Sequence, residues 1–125
     1  MARLPLAGRS GTSSKPPYCP EQFDVIHIQF DPQAGREQAG KRYAFVLSPA
    51  KYNALARLCV LCPITTKAKG YPFEVPVPDG HKTSGVVLAD QIKSLDWSMR
   101  EAEFFESRPD MAPHVIGMLK ALLPI

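Results

Sequence analysis

Three side chains in this sequence have the types needed to manage charge on a phosphate: Arg42, Thr65 and Glu37. A guanidinium fixed at the mouth of a strand takes two phosphate oxygens at once and stabilises the charge that grows on a phosphorane. A threonine hydroxyl donates to the same oxygens. Glu37 is the nearest carboxylate able to take a proton. Together they suffice for phosphodiester transesterification without a metal. They also have a plainer reading, with Arg42 and Glu37 as a surface ion pair worth under about 1 kcal/mol and Thr65 capping a turn. Residue chemistry alone barely separates the two. Other constellations are absent. There is no G-x-S-x-G, no Walker loop and no H-x-x-x-H, and the three histidines, His27, His81 and His114, lie far apart.

The elements that must position these residues follow from pattern. Residues 23–30 and 43–48 read as strands, apolar and rich in β-branched or aromatic side chains. Between them the run from Phe30 to Arg42 holds Pro32, Gly35, Gly40 and the cations Arg36, Lys41 and Arg42. A hairpin turns in about two to five residues. This connection is roughly twice as long, and long ordered loops tend to carry function. In the first strand Ile26, Ile28 and Phe30 share a face with Asp24, while His27 and Gln29 share the other. His27 reads as a half-exposed strand residue. Ser48-Pro49 reads as a helix start with Ser48 as N-cap, and the helix runs to about Ala56 with Tyr52 and Leu55 inward.

Residues 58–64 form the next strand, expected to be central, and it leads through Thr65 into a polar, basic turn ending at Gly70. Residues 71–77 return as an edge strand, because Pro72 and Pro76 cannot donate to a ladder. Residues 85–89, a run through Ile92 and Leu95 to Trp97, and residues 103–107 complete the strands. Asp110 as N-cap with Pro113 in the first turn opens a final helix, whose stripe is Val115, Met118, Leu119 and Leu122. Six or seven short strands and two helices make a curled sheet or barrel.

Composition limits the alternatives. A chain of 125 residues supports one domain, and its 13 prolines exclude a helical bundle. Residues 1–20 read as a flexible Gly/Ser/Pro-rich tail and residues 21–125 as the folded domain. The net charge of +3 conceals an asymmetry: residues 31–70 carry seven cations against two anions, and residues 71–125 five against eight. A basic half suits a polyanionic partner. The 3 cysteines, an odd number, argue against a disulfide framework. Cys59 and Cys62 have C-x-x-C spacing but lie in a strand, where positions three apart point to opposite faces. They cannot close on one metal and read as core thiols. No window approaches the roughly 20 apolar residues of a membrane span, and a cytoplasmic, reduced protein is expected.

Several ordered blocks resemble the MazF/PemK toxin endoribonucleases over about residues 22–123. They are Phe30-Asp31-Pro32, Gly35, Glu37-Gln38-Ala39-Gly40, Arg42, Val46-Leu47-Ser48-Pro49, Tyr52-Asn53, Pro63-Ile64-Thr65-Thr66, and the runs Lys69 to Val75 and Gly85 to Ser94. The resemblance implies a mainly β (α+β) fold, an SH3-like barrel of the MazF/CcdB/Kid type with a short helix after strand 2 and a C-terminal helix. It implies a homodimer that cleaves single-stranded RNA without cofactor or metal, leaving 2′,3′-cyclic phosphate and 5′-hydroxyl ends. It implies a cognate antitoxin that blocks the site with an extended acidic segment. By the same resemblance Arg42 and Thr65 are catalytic, with Glu37 supporting. Phe30, Asp31, Gly35, Lys41, Lys67, Lys69, Gln91 and Arg100 are RNA contacts. Three positions depart from the family pattern: Tyr43 replaces a proline after the arginine, Lys67 a glutamine, and Ser98 the first arginine of an Arg-x-Arg pair. The alternative is a non-catalytic protein of the same fold, either a topoisomerase poison or an inactive RNA binder. A poison has no need of Arg42 and Thr65 together.

Overall fold

Strand β1 (Asp24–Gln29) faces two interiors at once. Val25 enters one apolar cluster, with Phe45, Cys62 and Val87, while Ile26 and Ile28 enter another, with Ala44, Val46, Leu61, Leu95 and Trp97. Period-two alternation divides the strand in this way. A strand buried on both sides needs apolar residues at nearly every position. The computed structural model describes residues 17–31 and 40–124.

Strand β2 (Lys41–Val46) pairs antiparallel with β1, from Val25 opposite Phe45 to Gln29 opposite Lys41. Strand β3 (Leu58–Thr65) is the centre of the sheet, as its continuous apolar run predicts. One edge takes β2, with Tyr43 opposite Ile64. The other edge takes two partners end to end: β6 (Lys93–Asp96) along residues 58–61 and β5 (Val86–Leu88) along residues 64–65. Strand β4 (Glu74–Pro76) adds to β5, and β7 (Glu103–Ser107) adds to β1. The order is β4-β5-β3-β2-β1-β7 with β6 on β3. The sheet is open, since β4 and β7 end the order and do not pair with each other among the described residues. The helices α1 (Ala50–Ala56) and α2 (Ala112–Leu122) complete the expected α+β class. Helix α2 closes the first cluster with Val115, against which Met118 and Leu119 pack. The proline-bearing segment is at an edge, as expected, but only three of its residues are strand; residues 72–73 form a turn.

The C-x-x-C pair is split by the pleat: Cys59 lies in one cluster and Cys62 in the other. Burial pushes both thiols up to about 12, so neither forms a thiolate at neutral pH.

Three local expectations are corrected. Helix α1 begins after Pro49, and Ser48 does not cap it. The Ser48 hydroxyl instead donates to Asn53 Oδ1 (2.6 Å) and accepts from the Val60 amide (2.8 Å). The inward residue of α1 is Asn53, fully buried, whereas Tyr52 and Leu55 are exposed. Asn53 Nδ2 donates to the carbonyls of Pro20 (2.9 Å) and Ser48 (3.0 Å), and its own carbonyl accepts from Trp97 Nε1 (3.0 Å). A polar side chain with every group satisfied is stable in a core, which period alone cannot reveal. Nor does Asp110 cap α2. It pairs with the buried Arg108 (2.9 Å), and a 3-10 turn at Pro109–Met111 leads into the helix, with Pro113 in its first turn. Upstream of β1, Tyr18 donates to Asp24 and its ring meets Phe104 edge-on.

Candidate active site

Arg42 opens β2 and Thr65 closes β3. In sequence they are distant, but the β2–β3 register joins them. Tyr43 is opposite Ile64, and one further step sets Arg42 opposite Thr65. Directly opposed residues share a face with Cβ atoms about 5 Å apart. That face belongs to the second cluster, because Arg42 alternates with Ala44 and Val46, and Thr65 with Leu61. The sheet therefore carries a guanidinium and a hydroxyl side by side on its rim, above an apolar floor.

The strand end beneath Thr65 depends on Gly85. Its φ is +105°, and a Cβ there would stand 2.2 Å from the Thr65 carbonyl oxygen. Beyond Thr65 the chain turns, with the Lys67 amide donating to Thr65 Oγ1 (3.1 Å). The threonine thus caps a turn and still has its hydroxyl proton to donate. Glu74 on β4 holds the rest of the turn, its carboxylate accepting from the amides of Lys69 (3.0 Å) and Gly70 (2.9 Å). Lys67 and Lys69 are exposed on this anchored loop.

Lys93 on β6 was not among the candidate residues, yet it belongs here. It lies opposite Leu61, on the Arg42 face, and its Nζ sits 5.8 Å from the centre of the Phe30 ring. An ammonium over an aromatic face is held electrostatically. The available signal was its spacing from Leu95, two positions along a strand with its inward residue known. Gln91, half-buried at the end of a 3-10 turn (Ala89–Gln91), leads into the same strand.

Several of the residues expected to contact RNA also make packing contacts or hydrogen bonds within the fold. Phe30 is only 1% exposed, so its ring is core and props Lys93. Asp31 clasps the base of the loop, Oδ1 accepting from the Gly40 amide (2.8 Å). The Arg100 guanidinium donates to the carbonyls of Gln29 (3.0 Å) and Asp31 (2.8 Å), tying the β6–β7 connection to the end of β1. Asp96 shapes that connection. The Ser98 hydroxyl and the amides of Met99 and Ser98, with Arg57 nearby, lower the pKa of its carboxyl against an opposing desolvation. Lys41 points to the other side of the sheet, 3.8 Å from both Glu101 and Glu103. Gly35 and Glu37 lie outside the described residues. No cluster of His, Cys, Asp or Glu among the described residues is arranged to hold a metal ion. No helix among them is long and apolar enough to cross a membrane.

Comparison with known proteins places the chain among one family of toxins. Residues 21–115 match the family model described as "PemK-like, MazF-like toxin of type II toxin-antitoxin system". The chain is 44% identical over 108 residues to the endoribonuclease toxin MazF of Escherichia coli (strain K12), covering 86% of this chain and 94% of that one. It superposes on crystalline MazF from Deinococcus radiodurans with a TM-score of 0.81 at 48% identity, over 87% of this chain and 100% of the other. A MazE–MazF complex from the same organism aligns with a TM-score of 0.77, also at 48% identity, over 87% of this chain and 99% of that one.

Proposed function

The chain belongs to the PemK-like, MazF-like toxin family of type II toxin–antitoxin systems, and on that premise we propose that it is an endoribonuclease toxin cutting single-stranded RNA. The ribose 2′-hydroxyl attacks the adjacent phosphate. Its proton passes to Glu37, the P–O5′ bond breaks, and the leaving oxygen takes a proton from water. The products carry a 2′,3′-cyclic phosphate and a 5′-hydroxyl. Arg42 and Thr65 donate to the non-bridging oxygens as their charge grows, which is where fixed donors lower the barrier most. Lys93 adds positive charge at the same rim. With that charge supplied by side chains, the reaction as written requires no metal.

The observation that carries this reading is the β2–β3 register, which ends with Tyr43 opposite Ile64 and so brings the adjoining Arg42 and Thr65 to the same end of the sheet. The basic character of residues 31–70 also suits the cognate antitoxin, an acidic and extended segment that occupies the same rim and blocks RNA. We assign the toxin fold to residues 21–125 as a homodimer in the cytoplasm; residues 18–20, expected to belong to the tail, instead pack against the second apolar cluster and Asn53.

The test is cleavage of a defined RNA with end mapping. The wild type yields cyclic phosphate ends, and Arg42→Ala lowers kcat by about 10² to 10³, the usual cost of one lost oxyanion donor. Undiminished cleavage by Arg42→Ala removes the arginine from the mechanism. Growth arrest with intact RNA replaces the nuclease with a non-catalytic poison.

A further inference from the structure

The connection from β4 to β5, residues 77–85, closes on the strand ends that carry Arg42 and Thr65. Gly85 makes the contact. Its backbone runs so close to β3 that an added Cβ would meet the Thr65 carbonyl carbon at 2.9 Å and the Thr66 Cα at 3.0 Å. The next residue, Val86, pairs with Thr65 in the ladder, and the Gly85 carbonyl accepts from the Val77 amide (2.9 Å). Earlier in the loop, Lys82 and Thr83 border a cleft of about 240 Å³ that Arg42, Tyr43, Thr66 and Phe105 also line. The loop therefore abuts the strand ends that present both phosphate donors.

Most of this loop is exposed; only Val77 and Thr83 in it are buried. What fixes it is Glu106 on β7. The Glu106 carboxylate accepts from the Thr83 hydroxyl (2.6 Å) and from the amides of Thr83 (3.0 Å) and Lys82 (3.1 Å). Lys82 Nζ adds a hydrogen bond to the Phe105 carbonyl (3.0 Å). Glu106 is itself set by two features. Phe104 pairs with Ile26 and Glu106 with Val25, so Phe105 is the extra residue of a β-bulge, which re-aims the strand there. Behind Glu106 lies Arg108, fully buried, with Nη1 3.5 Å from Glu106 Oε1. Arg108 closes on Asp110 through Nε (3.0 Å) and Nη2 (2.9 Å), and its amide donates to the Phe23 carbonyl (2.9 Å). Fixed partners thus run from Arg108 in the core through Glu106 and Thr83 to Gly85 and Thr65.

We propose that Glu106 and Thr83 are positioning residues for RNA cleavage: by locking the β4–β5 loop against the end of β3, they fix the backbone of Thr65 and so aim its hydroxyl at the scissile phosphate. This role rests on the part given to Thr65 in the cleavage step above. Neither Glu106 nor Thr83 touches RNA in it. A loop fastened for stability alone could end anywhere on the sheet. This one ends on Thr65, at a contact too tight for any side chain on Gly85. The Lys67 amide already holds Thr65 Oγ1 (3.1 Å), so a shift of the strand end carries the hydroxyl with it. A donor lowers a barrier only where the charge develops, and a misplacement of about 1 Å can cost about a hundredfold in rate.

The experiment measures single-turnover cleavage of a defined RNA at saturating enzyme, and affinity for the same RNA carrying a 2′-deoxy residue at its cleavage site. Thr83→Val keeps the shape of the side chain and removes the hydroxyl. It should slow cleavage by about tenfold to a hundredfold with affinity unchanged. Thr83→Ser restores the hydroxyl and should cleave at the wild-type rate. Glu106→Gln is the independent second variant and should slow cleavage in the same way, and thermal melts establish which variants are folded at the assay temperature. In Thr65→Ala, itself slowed, adding Thr83→Val should cause no further loss, because residues that act through one group are not additive. Equal losses in both backgrounds reduce the contact to stability and overturn the proposal, as does a folded Thr83→Val or Glu106→Gln that cleaves at the wild-type rate. Weakened affinity with the saturated rate intact makes the loop an RNA-binding element and overturns it too. A Thr65→Ala protein that cleaves like the wild type removes Thr65 from the mechanism, and the positioning role with it. A wild type that cleaves no RNA removes the endoribonuclease reading itself.

Discussion

Single residues hold this site by satisfying polar groups and by leaving space. Asn53 joins α1, the segment before β1 and Trp97 through side-chain and backbone hydrogen bonds inside the core. Replacing it with alanine removes the amide donor to the Pro20 and Ser48 carbonyls and the acceptor of the Ser48 hydroxyl. Asn53→Ala should cost about 1–3 kcal/mol in a urea denaturation. Gly85 works by absence. A methyl at that position collides with the Thr65 carbonyl, and its positive φ is unfavourable for any L side chain. Gly85→Ala should destabilise by more than about 1 kcal/mol and should also lower RNA cleavage, because the strand end that presents Thr65 must move. A melt and a cleavage assay on the same protein check both halves. Neither role shows in the sequence. Asn53 follows a tyrosine and precedes an alanine in an ordinary helical run, and Gly85 closes an ordinary polar loop. What each does depends on atoms far along the chain.

Elements reach the site through carboxylates that fasten loops to strands. Burial pushes Glu106 up, but hydrogen bonds from Thr83 and Lys82 and the charge of Arg108 outweigh it and bring the carboxyl down to about 2 from 4.5. A depressed carboxylate adds stability that is fully present above its unfolded value and lost as pH falls through its folded one. The loop carrying Lys82 and Thr83 should therefore stay docked down to about pH 4.5 and release as pH approaches about 2. Protection of the Lys82 and Thr83 amides from hydrogen exchange should follow that course, whereas in Glu106→Gln it should be weaker and flat across the window. Such anchors were only half legible. The bulge at Phe105, which puts Phe105 and Glu106 on the same side, breaks the alternation that a sequence reading assumes.

At the scale of the molecule, charge and register decide what the toxin meets. With single-stranded RNA, the logarithm of affinity should fall with the logarithm of salt by about 0.7 per neutralised phosphate. If Arg42, Lys67, Lys69 and Lys93 each neutralise one phosphate, the slope is about −2.8, and Lys67→Gln with Lys69→Gln reduces it by about 1.4. Anisotropy of an uncleavable RNA across a salt series measures both. The sequence by itself determined the strands, the edge position of the proline-bearing segment and the opposite facing of Cys59 and Cys62, because backbone pleating imposes a period of two on any strand. It also marked Arg42 and Thr65 by type. Only the tertiary structure decided that these two come to the same end of the sheet, that Phe30 is core beneath Lys93, and that Tyr43 and Phe105 share a cleft. Register, bulges and burial are set by which apolar columns pack together across the whole sheet, and no local stretch of chain contains that information.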